Sequence, residues 1–370
     1  MRLLIAPDKF KGSLSALAAA QAIARGFCAV FPHAKVDIAP IADGGEGFAE
    51  SLGAALSADW IVIKSEDALG RSIDARYAWV PEQKLAVIEM SEASGLWRLK
   101  SDDCNPLQAN TVGTGILLRD AIARGAKKII VGLGGSATTD GGIGVARALG
   151  YQFINDAGPY SPLPGTLDLL AAVERPANLA LPEIIAACDV QNPLTGDRGT
   201  ARVYAPQKGA DPHTVELLEH SMRQLAEVCA QSFGRDFRDT PGAGAAGGLG
   251  FGLLTFCDAT IRPGFDIVAE TMNLDARIAA ADLVITGEGR IDDQTLDGKG
   301  PAGVAQRARA AGKRVIGFGG AVTRAAENAD LFDVLMPIAD SPMTLHDAMH
   351  SAAELLERAA RRAAKLMSHP

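Results

Sequence analysis

The chain has 370 residues, 48% hydrophobic but only 5% aromatic, and a formal net charge of -8. That length exceeds what one core usually holds, so two domains are expected, built mainly from aliphatic residues and alanine as in α/β folds. The acidic balance, with no basic block, excludes an ordinary nucleic-acid surface. Any anionic ligand must therefore be held locally, by a few placed cations and backbone amides.

Five cysteines, Cys28, Cys104, Cys188, Cys229 and Cys257, are scattered and form no C-x-x-C pair. They suggest neither a disulfide framework nor a zinc ribbon. Leu3-Leu4-Ile5-Ala6 is too short for a signal peptide, and no apolar run approaches the roughly 18 residues of a membrane span. The expectation is a cytoplasmic protein with no membrane partner.

In chain order, residues 2–6 and 35–39 read as strands with a helix over 15–30 between them, a βαβ unit. From about residue 59 the texture changes. Strands at 60–63, 73–80 and 85–90, separated by short turns, suggest an antiparallel meander. A helix over 112–124 and a strand over 128–133 follow. Residues 184–188 and 201–205 read as further strands, and 213–232 as a long amphipathic helix. Strand–helix alternation then returns, with strands at 283–286, 314–318 and 333–336 and helices at 300–311 and 342–366. Like textures at both ends predict a discontinuous domain, residues 1–58 plus 260–370. Its five parallel strands would form a flavodoxin-like sheet. Residues 59–259 would be an inserted α/β domain with a mixed sheet.

The densest motif is Gly132-Leu133-Gly134-Gly135-Ser136-Ala137-Thr138-Thr139-Asp140-Gly141-Gly142, directly after the strand 128–131. Glycines permit positive φ, so successive N–H groups can converge on an anion, and a following helix N-terminus would add to the attraction. Gly134, Gly135, Ser136, Thr138 and Asp140 are the candidate phosphate or nucleotide contacts. Its first six residues also satisfy G-x-G-x-x-A, which keeps open an NAD(P)-dependent oxidoreductase acting on a small hydroxy acid. Gly242–Gly247 satisfies G-x-G-x-x-G but follows no strand. A Walker A loop is absent.

Other charged, glycine-bearing clusters sit at strand ends, where open α/β sheets bind ligands. They are Pro7-Asp8-Lys9-Phe10-Lys11-Gly12-Ser13, Asp43-Gly44-Gly45-Glu46-Gly47, Cys188-Asp189-Val190-Gln191-Asn192 and Gly287-Glu288-Gly289-Arg290-Ile291-Asp292. Lysines and an arginine there can grip phosphate or carboxylate. The acids can hold Mg²⁺ or accept a hydroxyl proton. No histidine lies in these loops, which argues against histidine-based hydrolysis and zinc. His346 and His350, four apart, read as a surface helix face.

These blocks, with Ala205-Pro206-Gln207-Lys208-Gly209-Ala210 and Pro241–Gly250, follow one another in an order that resembles the type I glycerate kinase family over essentially the whole chain. One departure is Gln191, where an acidic or other polar residue often stands. The resemblance implies ATP- and Mg²⁺-dependent phosphorylation of D-glycerate to 2-phosphoglycerate, by a monomer or homodimer without a nucleic-acid partner. Under that reading Asp189 is the first choice for general base and Asp43 the second. Lys9, Lys11 and Arg290 hold carboxylate or the transferring phosphate, and Asp8, Asp43, Glu46 and Glu288 form the pool of Mg²⁺ contacts. A non-enzymatic anion sensor is the remaining reading.

Overall fold

The computed structural model describes residues 1–42, 44–45, 47–292 and 300–368. Asp43 and Glu46 therefore lie outside the described residues. The chain forms two compact units, Met1–Asp43 with Phe265–Pro370, and Gly44–Gly264.

The first unit is built on a five-stranded sheet. Across it run Val334–Pro337, Arg314–Val322, Leu283–Ile291, Arg2–Ile5 and Lys35–Ile38, every pair parallel. This is the flavodoxin-like order, with the first strand inside the sheet next to the second, which forms the edge. One face buries Leu3, Ile5, Leu283, Ile285 and Phe318 against helices Ala16–Cys28 and Ala352–Met367. Alternate residues Leu4, Val284 and Val315 are also buried, on the face carrying helices Leu274–Ala280 and Gly300–Ala310.

Helix Ala16–Cys28 starts where Ser15 accepts the Ala18 N–H at 3.2 Å. Its apolar stripe, Ala16, Ala19, Ala20, Ile23 and Phe27, has helical spacing. The third strand is longer than the sequence pattern indicates. It continues past Thr286, so Glu288 and Arg290 lie in the ladder opposite Gly319 and Ala321 and not in a loop.

The second unit carries a six-stranded mixed sheet. Thr260–Arg262, Glu183–Ala187, Lys128–Gly132 and Leu85–Glu89 are parallel neighbours. Ser72–Val80 and Asp59–Glu66 extend the sheet as the expected antiparallel meander. A small antiparallel sheet of Gly158–Tyr160, Gln152–Asn155 and Ala172–Glu174 was not predicted. Residues Thr200–Tyr204 form a helix where the apolar pattern suggested a strand. The reason is packing: Ala201 and Ala205, four apart, lie on one side against Val215 and Leu218 of helix Pro212–Phe233.

In the first unit, Gly26 marks the closest approach of its two long helices. A Cβ there would lie 2.4 Å from the Glu357 carbonyl oxygen and 2.7 Å from Ala360 Cβ. Gly26→Val should therefore cost about 1–3 kcal/mol through overpacking. Thermal or urea denaturation should show the loss, and an unchanged midpoint would mean the helices can separate freely.

Candidate active site

In the second unit, the loop 133–142 leaves the carboxyl end of strand Lys128–Gly132 and runs without helix until Ile143. Gly135, Gly141 and Gly142 take φ of +68°, +63° and +78°. The Gly135 crest is exposed, while Ser136, Thr138, Thr139 and Asp140 are buried.

Asp140 holds this loop together. Its Oδ2 accepts the Thr111 N–H and hydroxyl, both at 2.8 Å, and the Gly144 N–H at 3.1 Å. Its Oδ1 accepts the Gly142 N–H at 3.0 Å. The Thr111 hydroxyl in turn accepts the Val145 N–H at 3.1 Å. Asp140 is expected among the ligand contacts; in the structure its side chain is fully buried and accepts from these internal donors. The helix N-terminus expected to face a bound anion is likewise capped from within, by this carboxylate. Burial pushes the Asp140 carboxyl up, and the surrounding hydrogen bonds oppose that shift.

Beneath the loop lies Lys208, to which the sequence assigned no role. It is 2% exposed. Its Nζ donates to Ser136 Oγ at 2.8 Å and to the Thr138 carbonyl at 2.5 Å. Burial pushes its ammonium down from the ordinary 10.5 to about 7, and nearby Asp140 resists that shift. The residue sits in a short turn, Pro206–Lys208, closed by Gly209 at φ +94°. Nothing in the local sequence marks this lysine as buried.

The glycine run 242–252 packs backbone to backbone against the same loop. Gly141 N–H bonds the Gly247 carbonyl at 3.0 Å. A Cβ on Gly247 would lie 1.8 Å from the Thr138 carbonyl oxygen, and one on Gly252 would lie 2.7 Å from that of Gly141. Thus the second glycine motif is a spacer for the first.

Two neighbouring strand ends supply acids. Asp189, half-buried after strand Glu183–Ala187, accepts the Gly264 N–H at 3.1 Å. Its loop is held by Asn192, which donates to the Arg198 carbonyl at 2.7 Å and accepts from the Tyr204 hydroxyl at 2.8 Å. Glu89, also overlooked in sequence, ends strand Leu85–Glu89. It accepts the N–H groups of Gly47 and Ala49 and the Ser91 hydroxyl. It therefore caps helix Phe48–Ala55 and fixes the segment after residues 43–46.

In the first unit, Asp8 is nearly buried just past the end of strand Arg2–Ile5. Its Oδ1 accepts the Lys9 N–H at 2.6 Å, and its own N–H bonds the Gly287 carbonyl at 2.8 Å. That places Asp8, just past its own strand, beside the stretch of strand Leu283–Ile291 that carries Glu288. The Asp8 Oδ2 lies 3.4 Å from the position of a Cβ on Gly300, at the start of helix Gly300–Ala310. Lys9 is half-buried and Lys11 exposed. Arg290, 68% exposed, pairs with Asp292 at 2.8 Å. Gly289 allows this strand to meet the 7–13 loop, since its Cβ would lie 3.0 Å from Lys11 N.

The family model described as the glycerate kinase family matches residues 3–368. The chain is 43% identical over 367 residues to the glycerate kinase of Bacillus subtilis (strain 168), covering 98% of this chain and 96% of that protein. It is 39% identical over 374 residues to the glycerate 2-kinase of Escherichia coli (strain K12), covering 100% and 98%. The crystal structure of a candidate glycerate kinase 2 from Salmonella typhimurium LT2 matches with a TM-score of 0.88 at 40% identity, over 100% of this chain and 98% of that one. These matches give no support to the oxidoreductase reading. A dinucleotide fingerprint also needs its glycine turn to open a helix directly, and here the helix waits until Ile143.

The buried lysine makes a pH prediction. A group whose pKa is about 7 folded and 10.5 unfolded binds fewer protons in the native state between those values. Its destabilising effect is full below about pH 7 and is relieved as pH rises towards 10.5, by at most about 1.4 kcal/mol per pH unit. Urea denaturation of the native protein and of Lys208→Met should show a stability difference that moves in favour of the native lysine between pH 7 and 10. A pH-independent difference would mean Lys208 stays charged in its site.

Proposed function

The chain belongs to the glycerate kinase family, and from that premise we infer that it transfers the γ-phosphoryl group of ATP to D-glycerate, giving 2-phosphoglycerate and ADP. The observation that carries the reading is the loop 133–142, clamped from within by Asp140 and Lys208 while its Gly135 crest stays exposed. Phosphoryl transfer asks the protein for positioning and charge neutralisation more than for covalent chemistry. A rigid backbone with an accessible crest supplies the first.

In the unit Gly44–Gly264, the amides of Gly134 and Gly135 and the Ser136 hydroxyl cradle phosphate oxygens. Thr138 contributes through its carbonyl, which anchors Lys208. Asp189 is the general base that takes the proton of the attacking hydroxyl, with Asp43 the second choice. In the other unit, Lys9, Lys11 and Arg290 neutralise carboxylate or phosphate, the planar guanidinium being suited to a two-point grip.

The residues present fit Mg²⁺. Asp8 and Glu288 offer oxygen donors from adjacent segments of the parallel sheet, and Asp43 and Glu46 add to the pool from outside the described residues. Mg²⁺ commonly uses one or two carboxylates and fills its shell with water and phosphate. When bound, the ion neutralises charge on the phosphate oxygens.

We place the enzyme in the cytoplasm, as a monomer or homodimer, with no nucleic-acid or membrane partner. No helix among the described residues is long and apolar enough to cross a membrane. A coupled assay for ADP over a panel of small hydroxy acids tests the activity, and phosphorus NMR of the product tests transfer to C2. NAD(P)H turnover without ADP formation would overturn the reading.

Asp189→Asn keeps an oxygen to accept the Gly264 N–H but cannot take a proton. It should lower kcat by about 10²–10⁴ while the KM for ATP changes little. Normal turnover in a less stable protein would make Asp189 only a turn cap. A raised Mg²⁺ requirement at normal saturated kcat would make it a metal contact and pass the base role to Asp43.

A further inference from the structure

Beside the exposed Gly135 crest lies a cavity of about 270 Å³ lined by Ser91, Leu96, Trp97 and Gly135. The backbone ties it to the glycine loop. Leu96 N–H bonds the Gly135 carbonyl at 2.8 Å and Ala137 N–H the Ser94 carbonyl at 2.9 Å, a short antiparallel bridge centred on Gly95 and Ser136. Trp97 is 59% exposed, a large apolar surface to leave in water. Yet the indole is held in place. Its Nε1 donates to the Ser91 carbonyl at 3.0 Å, and the Arg98 guanidinium lies 4.4 Å from the ring centroid. Arg98 is itself fixed by the Asp74 carbonyl at 3.2 Å and by Glu92 at 3.6 Å. Gly135 forms part of the cavity wall at φ +68°, where a Cβ would rest in contact with Ser91 Cβ at 3.4 Å.

We propose that this cavity takes the adenine ring of the nucleotide, with Trp97 as its stacking surface, while the adjoining loop takes the phosphates. The proposal rests on the kinase reading above and adds the location of the base. A fixed, exposed indole and a leucine suit a flat, uncharged heteroaromatic ring. They offer little to glycerate, which presents a carboxylate and two hydroxyls. The bridge between residues 94–96 and 135–137 sets base and phosphate sites on one continuous backbone, so a single ligand can occupy both.

Calorimetric titration separates the base from the phosphates when ATP and inorganic tripolyphosphate are compared, each with Mg²⁺, on the full-length protein. Base–aromatic stacking is worth about 1–3 kcal/mol, so Trp97→Ala should weaken ATP about tenfold or more. Tripolyphosphate, which has no base, should lose less than about twofold on the same scale. Trp97→Phe should restore most of the ATP affinity, and thermal melts report the folding of each variant. Equal losses for both ligands, or an unchanged ATP affinity in an active kinase, overturn the nucleobase pocket and leave the kinase reading standing. A native protein that neither binds ATP nor forms ADP overturns both.

Discussion

The arrangement at the carboxyl end of the mixed sheet depends on one buried carboxylate. Taking a charge out of water costs several kcal/mol unless it is well hydrogen-bonded. Asp140 meets that condition with donors from two segments, Thr111 ahead of one helix and Gly142 and Gly144 at the start of another. Those donors can be satisfied together only when the loop 133–142 takes a single path. The buried Lys208 amine adds two further bonds to the same loop. The loop thus combines a polar, tightly specified interior with an exposed crest.

A second constraint comes from atoms that are missing. Backbone lies against backbone where 138–142 meets 242–252, and side chains at Gly247 or Gly252 would overlap a carbonyl. In the other unit Gly289 serves the loop 7–13 in the same way. Glycine is needed at these places for proximity, whether or not it touches ligand. That explains why a dinucleotide-like pattern such as 242–247 can appear in a chain with no strand before it.

Much of the architecture was legible because aliphatic runs such as 3–5, 128–131 and 283–286 are short, bounded by turn residues and separated by helical periods. The parallel character of the first unit's sheet follows from that alternation. What escaped were features set by tertiary partners. Ala201–Ala205 has the composition of either element, and only its packing on Val215 and Leu218 decides for helix. Lys208 and Glu89 look like ordinary surface residues, since burial of a lone charge has no local signature. Asp140 was noticed for its chemistry, yet chemistry alone does not say whether a carboxylate faces inward or outward. The strand ends before Asp8 and Asp189 could be located from sequence, but not the extension of strand Leu283–Ile291 through Glu288 and Arg290, nor the partners each acid or base would acquire.

The interior position of the first strand has a consequence for biosynthesis. Arg2–Ile5 lies between Lys35–Ile38 and Leu283–Ile291, so one edge has its partner within some tens of residues while the other pairs 280 residues later, as in Leu3 with Leu283. At about 5–20 residues per second, the ribosome takes roughly 15–60 s to deliver that second neighbour. Meanwhile the intervening residues 44–264 hold a complete sheet of their own. The N-terminal βαβ segment, with an unpaired apolar strand edge, must be kept from other nascent chains during that interval. Protein yield in the cell should thus be governed by how well this early segment is shielded while it waits for the end of the chain.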